Sequence, residues 1–533
     1  MKKLLIFLLI LTCGSAFGQT RPNVTQIQTV ENIAELKTMA PATDKTWAFV
    51  GGYYSHGDGG GGNFYWDSSS SAADNTGTII SSGVTPGRWI RYVEPYADMR
   101  VEWFGAMPDS GKDEATRIQA AIDAAGGKHV VRFPVGVFLI GATLNNTSTL
   151  TTSYPSLYLM GATNRANTNA PGQTTVLRAL DTMPGTSGLN VGVDSGVTGQ
   201  IILNLTPGAT VEKPPTGRVD IKGIGFRGNI GGSTPPEFSS IGDEGVIGVY
   251  SKDFRLSRIV GCNFSNMHTG IAIDGQGYYS SIEDNGFSRI KYGLAVRGNW
   301  NQSKLVGNRI SLAKIGMVFY YGGSGIVVDK SYIEQTHVAG IYSAFAWSLS
   351  VKNSYFEWNQ GLCVSYGSSG GTGRFLFDNN HVTMNASASA LFSITSVEMS
   401  GETASAPATM ALISNNLFKA NNASYTFNLF QTTGGSAYVP KLVTLVSNTY
   451  SYPNIFNKLL IGSSTAGNRV NRIGDGYSNI WQIGRDWSST LPPGTEVVDE
   501  AREPFYRGML RFNYSTSKFQ GVASTTVGWE DLH

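Results

Sequence analysis

One interval constrains this chain more than any other feature. Phe264, Phe287, Ile310, Ile333 and Phe356 follow one another at steps of 23 residues. Two places before each stands Cys262, Asn285, Asn308, Ser331 or Ser354. A repeat of roughly 20–50 residues marks an architecture whose units bury their apolar faces only against their neighbours. The units here hold short β-rich pieces and no helical period, so the spacing predicts an all-β chain wound as a single-stranded parallel β-helix. Beyond Phe356 the interval loosens, with Val382, Phe418 and Tyr450 as the next matches and Asn380, Asn416 and Asn448 keeping the polar place. Amides stacked on successive coils satisfy one another, so this column is expected to be structural.

The remaining organisation is modular. The first residues carry Lys2 and Lys3, an apolar run over Leu4–Leu11, and Ala16-Phe17-Gly18 before Gln19. They read as a secretory leader over 1–18, cleaved after Gly18; the alternative, a lipoprotein cysteine at Cys13, has an atypical Thr12 before it. Export is therefore expected. Cleavage leaves 40−2=38 cations against 38 anions, a balance that steers the protein towards neither nucleic acid nor membrane. No later segment reads as a membrane span. Cys262 and Cys363 fall about four coils apart, or ~19 Å at ~4.8 Å per strand, and are expected to be buried free thiols.

Residues 19–98 form a separate β module centred on a glycine-rich stretch, Gly51–Gly62, which lacks the lysine and following helix of a phosphate cradle and reads as a surface loop. An amphipathic helix is expected over 113–125, with Ile118, Ala121, Ile122 and Ala125 on one face and Gly126 ending it. It is placed to cap the open end of the solenoid, which spans 99–464. A short β module occupies 465–533, and Ser396–Pro407 reads as an inserted loop.

Phe104-Gly105-Ala106, Asp109, Gly111, Asp113, Thr116, Ile118-Gln119, Ala121-Ile122 and Phe133-Pro134-x-Gly136 resemble the entry motif of the pectate-lyase-like superfamily. The chain departs from that motif at Glu114 and Arg117. Gly52–Asp67 is similar to the front module of phage tailspike depolymerases, and Arg507–Leu532 resembles the small end modules of tail-fibre proteins. The resemblance implies a right-handed helix. It also implies a carbohydrate-directed activity, since the superfamily includes polysaccharide lyases, glycoside hydrolases and binding proteins, and it makes a homotrimer plausible.

Outward columns are where chemistry is sought. If the Phe264 series points inward, strand alternation turns Ser265, Ser288, Ser311, Glu334 and Glu357 outward, stacking two carboxylates ~4.8 Å apart. Carboxyl groups about 5 Å apart are the arrangement of a retaining glycosidase. Three places further on lie His268, Lys291, Lys314 and His337, also 23 apart, read as a cationic strip for an acidic polysaccharide. Tyr320, Tyr321, Trp347 and Trp358 are candidates for stacking on sugar faces. The bland reading pairs the glutamates with the lysines on a solvated face.

The preferred expectation is β-elimination on a uronic-acid glycan. His337 is the base, Glu334 orients it, Glu357 is the acid, and His268, Lys291, Lys314, Tyr320 and Trp358 bind substrate. The alternatives are a glycoside hydrolase using the paired glutamates and a non-catalytic carbohydrate-binding protein. No zinc spacing or HExxH motif is present; no cofactor is expected, and calcium is possible without being indicated.

Overall fold

The computed structural model describes residues 27–146, 156–206, 217–229 and 245–384 apart from a few positions, then strands within 390–473 and 510–531. The leader, Trp358 and most of the 396–407 insertion lie outside the described residues. The chain divides into two compact units, one ending at Gly476 and one beginning at Tyr477. In the second, Leu510–Asn513, Lys518–Val522 and Trp529–Asp531 form an antiparallel sheet.

The first unit opens with a five-stranded sheet in the order Ile27–Asn32, Trp47–Gly52, Gly62–Asp67, Arg88–Arg91 and Ile79–Ser81. Its core gathers Val30, Val50, Phe64, Trp66, Ile80 and Trp89. In the glycine-rich stretch the anion is the chain's own. The Asp58 carboxylate accepts from the backbone N–H of Tyr53, Tyr54, Ser55 and Gly60 at 2.7–3.0 Å. Burial opposes its ionisation, but these four donors outweigh it and hold the carboxyl below its usual value. The helix runs over Ala115–Ala125 and buries Ala115, Ile118, Ala121, Ile122 and Ala125. It starts two residues later than the sequence suggests because Asp113 bridges to Leu139 and its carboxylate accepts from Ala115 N and Gly141 N.

Beyond the helix the chain winds as a parallel β-helix, its described strands falling into sheets of thirteen and twenty. Register runs Phe226, Phe264, Phe287, Ile310, Ile333, Phe356, Val382, Phe418 and Tyr450, as the spacing requires. From Phe226 to Phe418 these side chains are at most 2% exposed. The rings of Phe226, Phe264 and Phe287 stack with centroids 5.0 and 5.1 Å apart.

Beside this stack the polar column forms a ladder. Asn285 accepts from Cys262 N at 2.8 Å and donates to Ile259 O and to Asn308 Oδ1. Asn380, Asn416 and Asn448 repeat the pattern with side-chain contacts of 2.9–3.1 Å. The residue before each rung takes a left-handed conformation: φ is 54° at Asp284, 50° at Lys330 and 52° at Asn379. This turns the chain from one sheet into the next. Cys262 and Cys363 are buried free thiols, each pushed up to about 12 by burial.

A second left-handed bend, at Asn266, Arg289, Leu312 and Gln335, divides each long strand. Past it the outward side is unexpectedly apolar. Tyr250, Ala272, Ala295, Val318 and Tyr342 share one register column. An antiparallel hairpin, Thr186–Val191 with Asp194–Asn204, folds over this face. Its Leu189, Val191, Val197 and Ile201 pack on Tyr250, Ala272, Tyr292, Ala295, Ile315 and Val318.

The hairpin corrects the expected cationic strip. His268 and Lys291 are in register, but only 2% and 3% exposed. Lys291 Nζ lies 2.7 Å from Asp194 Oδ2, and His268 Nε2 lies 3.7 Å from the same oxygen. Sealed beneath the hairpin, neither faces solvent. The strip is broken again at its far end. A β-bulge places both His337 and Val338 opposite Lys314, leaving His337 exposed and Lys314 half-buried.

Two stability outcomes follow. Asn308→Ala orphans the Ile282 carbonyl and the Asn285 amide, a loss of ~1–3 kcal/mol that should lower the urea midpoint. Asp194→Ala leaves Lys291 charged and buried, a loss of about 3–5 kcal/mol. Adding Lys291→Met should restore most of the thermal midpoint, whereas equal melting of the single and double variants would show that the pair does not hold the hairpin.

Candidate functional site

Alternation about the buried Phe–Ile ladder sends the residues on either side of each rung outward. The column after the ladder is Ser288, Ser311, Glu334, Glu357, Thr383 and Lys419, and register pairs Glu334 directly with Glu357. The column before it is Gly286, Arg309, Tyr332, Tyr355, His381 and Leu417. Adjacent coils are ~4.8 Å apart, so these six-membered columns make one continuous face along the solenoid.

The two carboxylates have different partners. Arg309 donates to Glu334 Oε1 at 3.2 Å, and its guanidinium lies 5.6 Å from the centre of the Tyr332 ring. Tyr332 OH donates to Glu357 Oε2 at 3.2 Å. A permanent cation therefore faces one carboxylate and a neutral phenol the other. Burial, and then the charge of Glu357, pushes the Tyr332 phenol up to about 12, so it remains a donor through the neutral range. Tyr332 and Tyr355 stack at 4.7 Å, occupying each other's faces and leaving their edges outward. Tyr355 OH meets Thr383 Oγ1 at 3.4 Å, and Thr383 Oγ1 meets His381 Nε2 at 3.3 Å. Burial lowers the His381 pKa, Lys419 acts in the same sense and Glu357 opposes. The face thus combines paired carboxylates, phenol donors and an imidazole weighted towards its neutral form.

Of the residues singled out from sequence, the structure brings together Glu334 and Glu357. Neither pairs with a lysine. His337 lies across the Gln335 bend from Glu334, in the bulge, so the orienting contact expected between them is replaced by Arg309 on Glu334. Tyr320 follows the strand Arg309–Phe319, and Ser311 on that strand is the register partner of Glu334, so Tyr320 lies roughly 30 Å of extended chain from the carboxylate column at ~3.3 Å per residue. His268 and Lys291 are under the hairpin, and Trp358 is outside the described residues. Arg309, Tyr332, Tyr355 and His381 escaped the sequence reading. The 23-residue interval read one place before the phenylalanine column finds Arg309, Tyr332 and Tyr355, since 309+23=332 and 332+23=355.

Among the described residues no group of three or more metal-ligating side chains converges, and no helix is long and apolar enough to cross a membrane.

Comparison with known proteins follows the same division of the chain. Residues 29–94 match the phage tail protein small four-stranded beta-sheet domain, and residues 247–404 match the right-handed beta helix region. No curated protein matches the chain. Among solved structures, the chain is similar to the tailspike protein of Acinetobacter phage vB_ApiP_P1, at 13% identity, TM-score 0.47, and coverage of 91% of this chain and 79% of that one. It is similar to the enzymatically active domain of bacteriophage CBA120 tailspike protein 2, at 14% identity, TM-score 0.48, and coverage of 87% and 64%. It is also similar to PfbA, a surface adhesin of Streptococcus pneumoniae, at 12% identity, TM-score 0.39, and coverage of 66% and 91%. Likenesses this loose carry no argument about function. Winding, ladder and matched regions agree: the chain is a right-handed parallel β-helix protein fronted by a β-sheet domain of the phage-tail type.

Proposed function

We propose that the chain is an exported glycan-cleaving enzyme whose site is the Glu334–Glu357 face, working by glycoside hydrolysis. The observation that carries this reading is the register pairing of two carboxylates with unlike partners. Retaining hydrolysis needs two carboxyl groups about 5–5.5 Å apart, one ionised and one able to give up a proton. Glu334, beside the Arg309 cation, suits the nucleophile that attacks the anomeric carbon. Glu357, beside the Tyr332 phenol, suits the acid that protonates the departing glycosidic oxygen. It then takes a proton from the water that opens the glycosyl ester. Tyr332 and Tyr355 offer phenol donors and acceptors to sugar hydroxyls.

We favour this reading over the expected β-elimination for a physical reason. Elimination relies on cations that neutralise the substrate carboxylate, and of the expected strip Lys291 is ion-paired to Asp194 and His268 is buried with it. Hydrolysis places no such demand, and the acidity of the substrate becomes secondary. The leader-like residues 1–18 support export, and the resemblance of the end modules to those of tail-fibre proteins suggests a homotrimer.

A panel of polysaccharides incubated with the full chain tests the chemistry. Reducing ends should accumulate without the ultraviolet absorbance of an unsaturated uronate. Glu334→Gln and Glu357→Gln should each lower turnover by on the order of 10²–10⁴. Appearance of that absorbance would establish elimination instead, and binding without any shortening of the glycan would leave a non-catalytic receptor.

A further inference from the structure

The far end of the long strands carries a second cluster, on the opposite side of the hairpin-covered face from Glu334 and Glu357. Successive coils bring Asp274, Arg297 and Tyr320 into line, each one place beyond the paired residues Ile273, Val296 and Phe319. The hairpin tip builds a wall beside them. Asn190 hydrogen-bonds the Asp274 carboxylate, and Arg297 donates to the Asp194 carbonyl at 2.8 Å. Tyr250 OH donates to Asp274 Oδ2 at 3.0 Å from the floor. On the other side stand the aromatics. The Arg297 guanidinium lies 5.0 Å from the Tyr320 ring and 5.3 Å from the Tyr321 ring, and the two rings meet edge to face at 4.6 Å. Trp347, one coil on, donates its backbone N–H to Gly323 O.

Two properties of this cluster point to a ligand. Tyr321 and Trp347 are 46% and 58% exposed, although the same solenoid buries Trp300 completely. The polar groups are also fixed before any ligand arrives. Arg297 is clasped by two rings and a carbonyl, Asp274 by a phenol and an amide, so little side-chain freedom remains to be lost on binding. A carboxylate acceptor beside a guanidinium donor matches vicinal sugar hydroxyls, and exposed indole and phenol rings cover the apolar face of a pyranose.

We propose that Asp274, Arg297, Tyr321 and Trp347 form a second glycan-binding site, which takes a run of pyranose residues along the solenoid axis. Each coil advances ~4.8 Å, comparable to one pyranose ring, so a chain crossing the four coils that carry Asp274, Arg297, Tyr321 and Trp347 meets one polar or aromatic group per sugar. The site holds polysaccharide and performs no bond chemistry. It rests on the chain recognising carbohydrate, as proposed above, but not on hydrolysis.

The full-length Glu357→Gln protein, with cleavage disabled, is applied to an array of immobilised pyranose oligosaccharides and compared with the same protein carrying Tyr321→Ala and Trp347→Ala. Both aromatics are about half-exposed, so the variant should stay folded, with only a small drop in thermal midpoint from the lost Tyr321 contacts. Retention of at least one glycan by the parent, weakened about tenfold or more in the aromatic variant, is the expected result. Arg297→Lys should weaken binding as well, because the planar fork is lost. Equal affinity in parent and variant, or no glycan retained by the parent, overturns the site. With Glu357 restored, cleavage of a short oligosaccharide by the Tyr321/Trp347 variant should be unchanged. Aromatic-dependent binding without any cleavage would keep this site and sink hydrolysis; cleavage with aromatic-independent binding would do the reverse.

Discussion

The structure depends on parallel strands held in one register from coil to coil. A one-residue slip in a β-strand moves every side chain to the other face, so a solenoid that slipped once would turn its core out. Two features oppose slippage. The stacked phenylalanines and isoleucines fill the interior and fit only when aligned. The buried asparagine ladder adds hydrogen bonds that exist only in that alignment, because each amide reaches the carbonyl of the coil before and the amide of the coil after. Apolar packing alone tolerates sliding; buried polar groups do not, since any shift leaves them unsatisfied.

Fixed register makes the surface a lattice of columns, and the candidate chemistry is a consequence of that lattice. Glu334 and Glu357 are neighbours because Ile333 and Phe356 are stacked, and Arg309, Tyr332 and Tyr355 line up for the same reason. What distinguishes the two carboxylates is diagonal rather than columnar. Arg309 reaches forward to Glu334 and Tyr332 reaches forward to Glu357, each across one coil. Chemical asymmetry thus arises on a backbone that is nearly repetitive.

The hairpin over residues 186–204 interrupts the lattice. It covers an apolar outer face, buries a lysine and a histidine that the repeat alone would have exposed, and supplies Asp194 to balance the lysine. Its tip also shapes the wall beside Asp274 and Arg297. One excursion from the repeat therefore removes two of the four strip positions from solvent and walls one side of the Asp274–Arg297 cluster.

The sequence by itself determined the winding, the inward column through Phe418, the structural asparagines and the adjacency of Glu334 and Glu357, because a constant interval in a stacked fold translates directly into contact. It also carried Arg309, Tyr332 and Tyr355 at that interval, legible one place before the column that was read. Only the tertiary structure decided which outward residues reach solvent. Asp194 is distant in sequence from Lys291 and belongs to no repeat, so no periodicity links them; the bulge at His337 likewise shows only where one strand pairs with the next. Stacking is a local, periodic interaction and leaves a mark in spacing, whereas burial by an inserted hairpin is a single long-range contact and leaves none.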